Sequence, residues 1–495
     1  MKDISQLPDA HLRIFERPEL PPAESLEDVY LIGICGTGMG SLAGLLQSAG
    51  FGVRGSDTAA WPPMSTRLAE LGIGVDEGYN ADHLDPAPGL VVVGNACTPT
   101  HVEAAAAREA GLVQASFPET LANYFLTDRR SLVIAGTHGK TTTTSLLVHA
   151  LSAAGLDPGF LVGGVMVNGN RSYGVGSGRH FVVEGDEYDS AYFDKRPKFL
   201  HYRPDVGVVT SMEFDHADIY DTWEDYREAF RLFAASVPRD GVLVLNADDA
   251  EVAALAHWCH GGLASYGLSE AADVRAVEVD ATEDGQRFRV IAWGQDVGAF
   301  HLPLSGHHNL MNTLAILAVS LGEGVQVDAL RDGLRTFAGI RRRQEVRGVA
   351  DGVTVIDDFA HHPTAVRATL QAMRERWPTR RLVAIFEPRS NSSRRRVFQE
   401  GYEAALGDAD AVFLSTPPFR HNDNRNDFIE VDELLRRVGE QGVHTAASDS
   451  ADGLLPMLND YLKAGDVAVI MSNGGFGGIH GKLLDGLRQR TGEST

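Results

Sequence analysis

From Val29 onward the chain alternates short runs of β-branched and aliphatic residues with longer stretches whose apolar positions recur at helical spacing. That alternation predicts βαβ units and an α/β protein built on mostly parallel sheet. The predicted strands are VYLIGI near residue 30, LVVVG near 92, LVIAG near 133, FVVEG near 182 and VGVVT near 208, followed by VLVLN near 243, VTVID near 354, LVAIF near 383, AVFLS near 412 and VAVIM near 468. Strands covered on both faces read as unbroken apolar runs, as these do. Only residues 274–304 depart from the pattern. There, alternating polarity with turns at Gly285 and Gly294 predicts an antiparallel patch inserted in the middle of the chain.

Nearly every predicted strand ends in a polar or glycine-rich cluster: GTGMG, GNACT, GTHGKTT, EGDEYD, EFDHAD, DDFAHH, EPRSN and SNGGFGG. Parallel sheets bind ligands beyond the carboxyl ends of their strands, so one functional layout recurs along the chain. Two segments divide it, Asn123–Arg130 and the basic cluster Arg341–Arg343. They predict units at 29–127, 128–343 and 344–495, the first and last similar in style. A length of 495 residues suits three such units. Residues 1–28, with Pro18, Pro21 and Pro22 among charges, read as a poorly ordered extension or a surface arm.

Hydrophobic residues make up 43% of the chain, enough for several buried cores. Lys and Arg number 44 against 67 Asp and Glu, a net charge of −23, which argues against duplex nucleic acid or an anionic membrane as partner. Cys35, Cys97 and Cys259 show neither CxxC pairing nor metal-ligand spacing, which fits a reducing compartment. The N-terminal residues carry no apolar signal region, and no run approaches the roughly 18 apolar residues of a membrane span. A cytoplasmic protein is expected.

The strongest chemical signal is LVIAGTHGKTTTTSLL at 132–147. A strand breaks at Gly136, turns through Thr137, His138 and Gly139, and restarts as a helix at Lys140. That geometry aims backbone N–H groups, a helix N-terminus and one lysine at a single point, as phosphates require. The hydroxyls of Thr141 and Thr142 stand where Mg²⁺ finds hard oxygen ligands. The full Walker pattern wants a glycine where Ile134 stands, yet a nucleoside triphosphate remains the expected ligand.

Other clusters are less specific. Gly36, Thr37, Gly38, Met39 and Gly40 open a helix after the first strand, with Asp57 ending the next. The loop suits NAD, a nucleotide sugar, or simple strand–helix packing, and Asn95 could face the same crevice. Glu184 ends FVVEG at a position suited to a cation opposite the phosphate loop, with Asp186, Glu187 and Asp189 either sharing that role or forming a solvated turn. His216, in EFDHAD, could serve as a second-cation ligand or a base. His308, Asn309 and Asn312 could pair with an adenine edge or cap a helix. One of Arg341–Arg343 is expected to reach phosphate, and Asp358 a ribose. His361 and His362 have no metal-ligand spacing with a third donor, so zinc is not expected. Arg389, Ser390 and Asn391, facing a loop that contains Asn473, suit a carboxylate-bearing substrate.

Taken in order, GICGTGMG, GTHGKTTT, EGDEYD, EFDHAD, GHHNLMN, FAGIRRRQE and DDFAHHPT resemble the Mur ligase family, the ATP-dependent amide-forming enzymes of peptidoglycan synthesis, from Tyr30 to Leu487. The first loop and DDFAHHPT resemble the branch that acts on UDP-N-acetylmuramate. Tyr188, Ala217, VVVGNACT, WPPMST, FEPRSN and MSNGGFGGIHGKLLDGL resemble members that attach the recycled tripeptide L-Ala-γ-D-Glu-meso-diaminopimelate, with L-alanine as the competing acceptor. Departures are Gly185 in place of Ala, the extra residues 1–28 and an added loop at 421–427. Residues 217–235 contain no lysine to be carbamylated.

The resemblance implies a three-domain architecture: a Rossmann-like UDP-sugar domain, a central P-loop ATPase domain and a Rossmann-like peptide domain. It implies ATP and Mg²⁺, with Lys140, Glu184 and His216 catalytic and Thr141, Glu184 and His216 on metal. ATP would lie on Gly136–Thr142, His308, Asn309, Asn312, Arg343 and Asp358, and the UDP moiety on Gly36–Gly40, Asp57 and Asn95. Arg389, Ser390, Asn391 and Asn473 would meet the peptide. The partners implied are small molecules, with the chain a monomer or weak homodimer and a hinge at about 341–345. A nicotinamide oxidoreductase or a silent UDP-sugar sensor would leave the Gly-Lys-Thr-Thr loop, Glu184 and His216 without a task.

Overall fold

The computed structural model describes residues 4–60, 64–214, 219–390, 393–417 and 427–492. All ten expected strands form, and they fall into three sheets. The first has five parallel strands in the order Gly74–Glu77, Gly52–Asp57, Asp28–Ile32, Leu90–Val93 and Gln114–Ser116. Connections leave the central Asp28–Ile32 strand in opposite directions, which opens a crevice at its carboxyl end beside the glycine loop.

The second sheet has ten strands. At its middle lie Val206–Val209, Arg130–Ala135 and His180–Gly185, all parallel. Their register sets Ala135 beside both Val209 and Gly185, so the three loops that follow open side by side. One flank continues as the antiparallel strands Val274–Thr282, Gly285–Ala292 and Gln295–Leu302, as the alternating polarity predicts. The last two join through Trp293 and Gly294 at φ 47° and 76°, the left-handed pair a tight hairpin turn needs.

In the third sheet, Glu345–Ala350 runs antiparallel to Val353–Asp358, and Val467–Ser472, Leu382–Glu387, Ala411–Ser415 and His444–Ser448 follow in parallel. Its strand order differs from that of the first sheet, so the resemblance between the two units stops at their alternating pattern. Register brings Asp358 beside Met471 and Ser472 beside Glu387, which gathers the loops after these strands at one edge.

One apolar core runs from the first unit into the second and includes Leu31, Leu42, Leu46, Val133, Phe181 and Phe230. The helix Thr37–Ser48 lies so close to the Arg171–Gly174 strand that a Cβ on Gly44 would sit 2.4 Å from the Tyr173 ring. The third unit has cores of its own on the two faces of its sheet, around Ile356 and Phe386 on one and Val355 and Ile385 on the other. Units that share a core move as one, whereas units that meet through polar contacts can shift. Residues 4–27 form a docked arm: Arg17 pairs with Glu119 at 2.9 Å, and Phe15 packs on Tyr192 and Phe193. No helix among the described residues is long and apolar enough to cross a membrane.

Candidate active site

The strand Arg130–Ala135 is buried almost throughout and stops at Gly136, whose φ of 132° suits glycine. A Cβ there would lie 2.1 Å from the Thr210 hydroxyl. The end of the neighbouring strand pins the loop: Thr137 N donates to Ser211 O at 3.0 Å, His138 N to Ser211 Oγ at 3.0 Å, and Thr210 Oγ1 to His138 O at 2.5 Å. Gly139, at φ 83°, starts the helix Lys140–Ala153. The first-turn N–H groups have no intrahelical acceptors, and they join the lysine at a cradle suited to a polyphosphate.

Lys140 is half-buried beneath this loop, with Nζ 2.6 Å from Gly136 O and 2.8 Å from Glu187 Oε2. Burial favours loss of its proton, but Glu187, Asp186 and Glu184 outweigh that and hold its pKa above the ordinary lysine value. Glu187 is fully buried and also accepts from Tyr226 OH, while its carbonyl accepts from Tyr220 OH. The ambiguous acidic run thus contains the lysine's partner. Nothing in the sequence pointed to Tyr226, whose hydroxyl also meets Thr137 Oγ1 at 2.8 Å.

Glu184 stands one loop away. Its Oε2 accepts from Thr141 Oγ1 at 3.1 Å, and its Oε1 accepts from Gly163 N at 2.6 Å. Burial raises its carboxyl pKa, and Gly163, Lys140, Thr141 and Arg343 only partly offset this. A hydroxyl and a carboxylate in contact beside a phosphate cradle form a hard-oxygen pair that fits Mg²⁺. Thr142 turns into the helix's buried face, so its contribution to the cradle is its main-chain amide. His216 lies outside the described residues.

Glu213, just after the 206–209 strand, approaches the loop from the other side. Its Oε2 lies 2.9 Å from His138 Nε2 and 3.9 Å from His362 Nδ1, and its Oε1 accepts from Thr364 Oγ1 at 2.7 Å. Burial works against its charge, but His138, Thr364 and His362 hold its carboxyl at about 2. His362 and Thr364 belong to the third unit, so this contact spans the boundary between units.

At the start of the helix His307–Gly322, Asn309 Nδ2 donates to Ser305 O at 2.8 Å. Asn312 abuts the phosphate loop, where a Cβ on Gly139 would meet its Oδ1 at 2.5 Å. Burial, then the nearby charges of His307, Arg343 and His138, push the His308 pKa down to about 4. A neutral imidazole fits its 3.2 Å contact with Gln344 Nε2. Arg343 stacks on Phe359 at 4.9 Å, and Arg342 lies over the same ring at 5.1 Å. Asp358 accepts from Gln344 N, Ala360 N and Thr369 Oγ1, so its carboxylate sets the entry into the third sheet.

The other two clusters also converge. Asp57 accepts from Cys35 N and Thr58 N at 2.8 Å, which folds it onto the glycine loop, while Asn95 is exposed at the end of its strand. In the third unit, Arg389 lies along Gly474, next to Asn473, and Arg342 donates to the carbonyls of Ser472 and Gly474 at 2.6 Å. Ser390 turns back to Ser393 at 2.8 Å, and Asn391 lies outside the described residues.

Comparison with known proteins agrees with this layout. Residues 28–128 match the Mur ligase family catalytic domain, 134–320 the Mur ligase middle domain and 342–474 the Mur ligase glutamate ligase domain. The chain is 39% identical over 467 residues to the UDP-N-acetylmuramate–L-alanyl-γ-D-glutamyl-meso-2,6-diaminoheptandioate ligase of Escherichia coli, covering 93% of this chain and 98% of that protein. The enzyme of the same name from Haemophilus influenzae is 36% identical, covering 94% of this chain and 100% of that protein. A crystal structure of a murein peptide ligase from Psychrobacter arcticus superposes with a TM-score of 0.70 at 34% identity, covering 93% of this chain and 99% of that one.

Proposed function

The chain belongs to the Mur ligase family, and we propose that it joins the tripeptide L-Ala-γ-D-Glu-meso-diaminopimelate to UDP-N-acetylmuramate at the expense of ATP, in peptidoglycan recycling. The observation that carries the reading is the match, over almost its whole length, to a ligase named for those two substrates. In this reading residues 29–127 hold the UDP moiety, 128–343 the ATP and 344–495 the peptide, in a cytoplasmic monomer or weak homodimer.

An ionised carboxylate is a poor electrophile, so a lactyl carboxylate oxygen first attacks the γ-phosphorus of ATP, ADP leaves, and the carboxylate becomes an acyl phosphate. The tripeptide's amine then attacks the carbonyl carbon, loses its proton, and inorganic phosphate departs. The chain's task is to gather three anionic groups and neutralise them. Lys140 and the amides of 136–142 hold the phosphates, with Glu187 and Tyr226 fixing the lysine. Thr141 and Glu184 would hold Mg²⁺, with His216 at a second cation; the metal supplies charge for the crowded phosphate oxygens. Asn312 and His308 border the adenine side, Arg343 and Asp358 the ribose and phosphate side, and Arg389 and Asn473 the incoming peptide.

Phosphate release with ATP and UDP-N-acetylmuramate, measured against tripeptide and L-alanine in turn, tests this. The tripeptide is expected to turn over faster; faster turnover with L-alanine would move the chain to the other acceptor class.

A further inference from the structure

We propose that His138, Glu213 and His362 form a binding site for a borderline transition-metal dication of the Zn²⁺ class, separate from the oxygen-ligand site at Thr141 and Glu184. Each residue offers one ligand atom, and the three atoms lie within 4.8 Å of one another. They come from three places: the turn of the phosphate loop, the segment after the 206–209 strand, and the N-cap residue of the helix Pro363–Arg376. Sequence spacing could not reveal this set, because the two other donors, His138 and Glu213, lie in the middle unit, far from His362 along the chain.

The donor chemistry decides the class of ion. Two imidazoles and one carboxylate suit Zn²⁺ and its neighbours, whereas Mg²⁺ takes oxygen ligands and keeps its waters. His138 Nε2 is within hydrogen-bond reach of Glu213 Oε2 at 2.9 Å, whereas His362 Nδ1 lies 3.9 Å from the same oxygen and accepts from Thr364 N at 3.4 Å. A single ion between them would join both rings to that one oxygen. The surroundings already orient the ligands. Thr364 Oγ1 holds the other carboxylate oxygen at 2.7 Å, and the Phe398 ring packs edge-on against His362 at 4.9 Å. The ion would take the place of the 2.9 Å hydrogen bond between His138 Nε2 and Glu213 Oε2 and of the 3.4 Å contact from Thr364 N to His362 Nδ1. Because His138 belongs to the nucleotide loop and His362 to the third unit, the ion would fasten one to the other.

Full-length, tag-free protein stripped with a chelator and titrated with Co²⁺ in excess Mg²⁺ provides the test. We expect saturable one-to-one visible absorption of nitrogen-ligated Co²⁺, displaced by Zn²⁺. Thr364→Ala, an exposed position that removes only the outer contact, should weaken binding about 10–100-fold. His362→Gln should abolish it, and Glu184→Gln should leave it intact. An unsaturable wild-type titration, wild-type binding by the His362 and Thr364 variants, or loss of the signal in Glu184→Gln would each overturn the assignment.

Discussion

Lys140 and Glu187 form an ion pair whose two halves do not contribute alike, the carboxylate being fully buried and the ammonium half-buried. Removing the cation leaves a fully buried carboxylate uncompensated, a situation that costs about 3–5 kcal/mol. Lys140→Ala should therefore lower the apparent melting temperature as well as abolish ligation, and Lys140→Ala/Glu187→Gln should regain most of the stability but none of the activity. Thermal melts beside a phosphate-release assay separate the two effects. Gly139→Ala should damage nucleotide binding, since its φ of 83° is left-handed and a Cβ would strike Asn312; calorimetric titration with an ATP analogue checks it. At this scale the sequence was legible wherever chemistry is local. Gly136, Gly139, Lys140 and Thr141 are read from six adjacent letters, and Glu184 from its place at a strand end. Glu187's pairing, Tyr226 and Thr364 were not legible, because each acts across 39 or more residues of chain separation, for which a single sequence carries no signal.

Elements were the most legible level. All ten predicted strands and the antiparallel insertion appear because buried parallel strands and half-exposed antiparallel ones leave different hydrophobic periods. How the elements pack was not written there. The Thr37–Ser48 helix seats Gly44 on Tyr173, and Gly44→Ala should cost about 1–3 kcal/mol by overpacking. Adding Tyr173→Ala should make the pair less than additive, measurable by denaturant unfolding. At the far end of the central sheet, Glu323 meets Arg130, Arg179 and His180 at 2.8, 2.9 and 3.1 Å, joining the end of the His307–Gly322 helix to two strands. Burial opposes its charge, but His180 and Arg130 hold its carboxyl at about 2, below its ordinary 4.5. The stabilisation is complete above pH 4.5 and is lost as the pH falls toward 2. Glu323→Gln should flatten the pH dependence of stability across that window.

Across the whole molecule, a net charge of −23 repels the anionic substrates at long range, while basic groups attract them only close to the site. Raising ionic strength from a few millimolar to about 0.15 M should screen the repulsion first and increase kcat/KM for UDP-N-acetylmuramate. A fall instead would mean that the local basic field governs encounter. The chain passes from the first sheet to the second between 116 and 130 and from the second to the third between 302 and 345, but the sharing of a core by the first two units had no sequence signature. The junction at 341–345, the hinge expected from the sequence, carries Arg342 and Gln344 both at positive φ and joins that shared core to the third unit's separate ones.

The docked N-terminal arm has a consequence of its own. Arg13 and Phe15 grip Tyr192 on the small hairpin formed by Asp189–Ala191 and Asp194–Pro197, and that hairpin directly continues the loop carrying Asp186 and Glu187. Trimming the polypeptide back to Glu19 would take away no reacting group, yet it would unbrace the carboxylate that steadies the lysine. The leading residues act as a remote strut, and a shortened protein should bind its sugar nucleotide normally while turning over slowly.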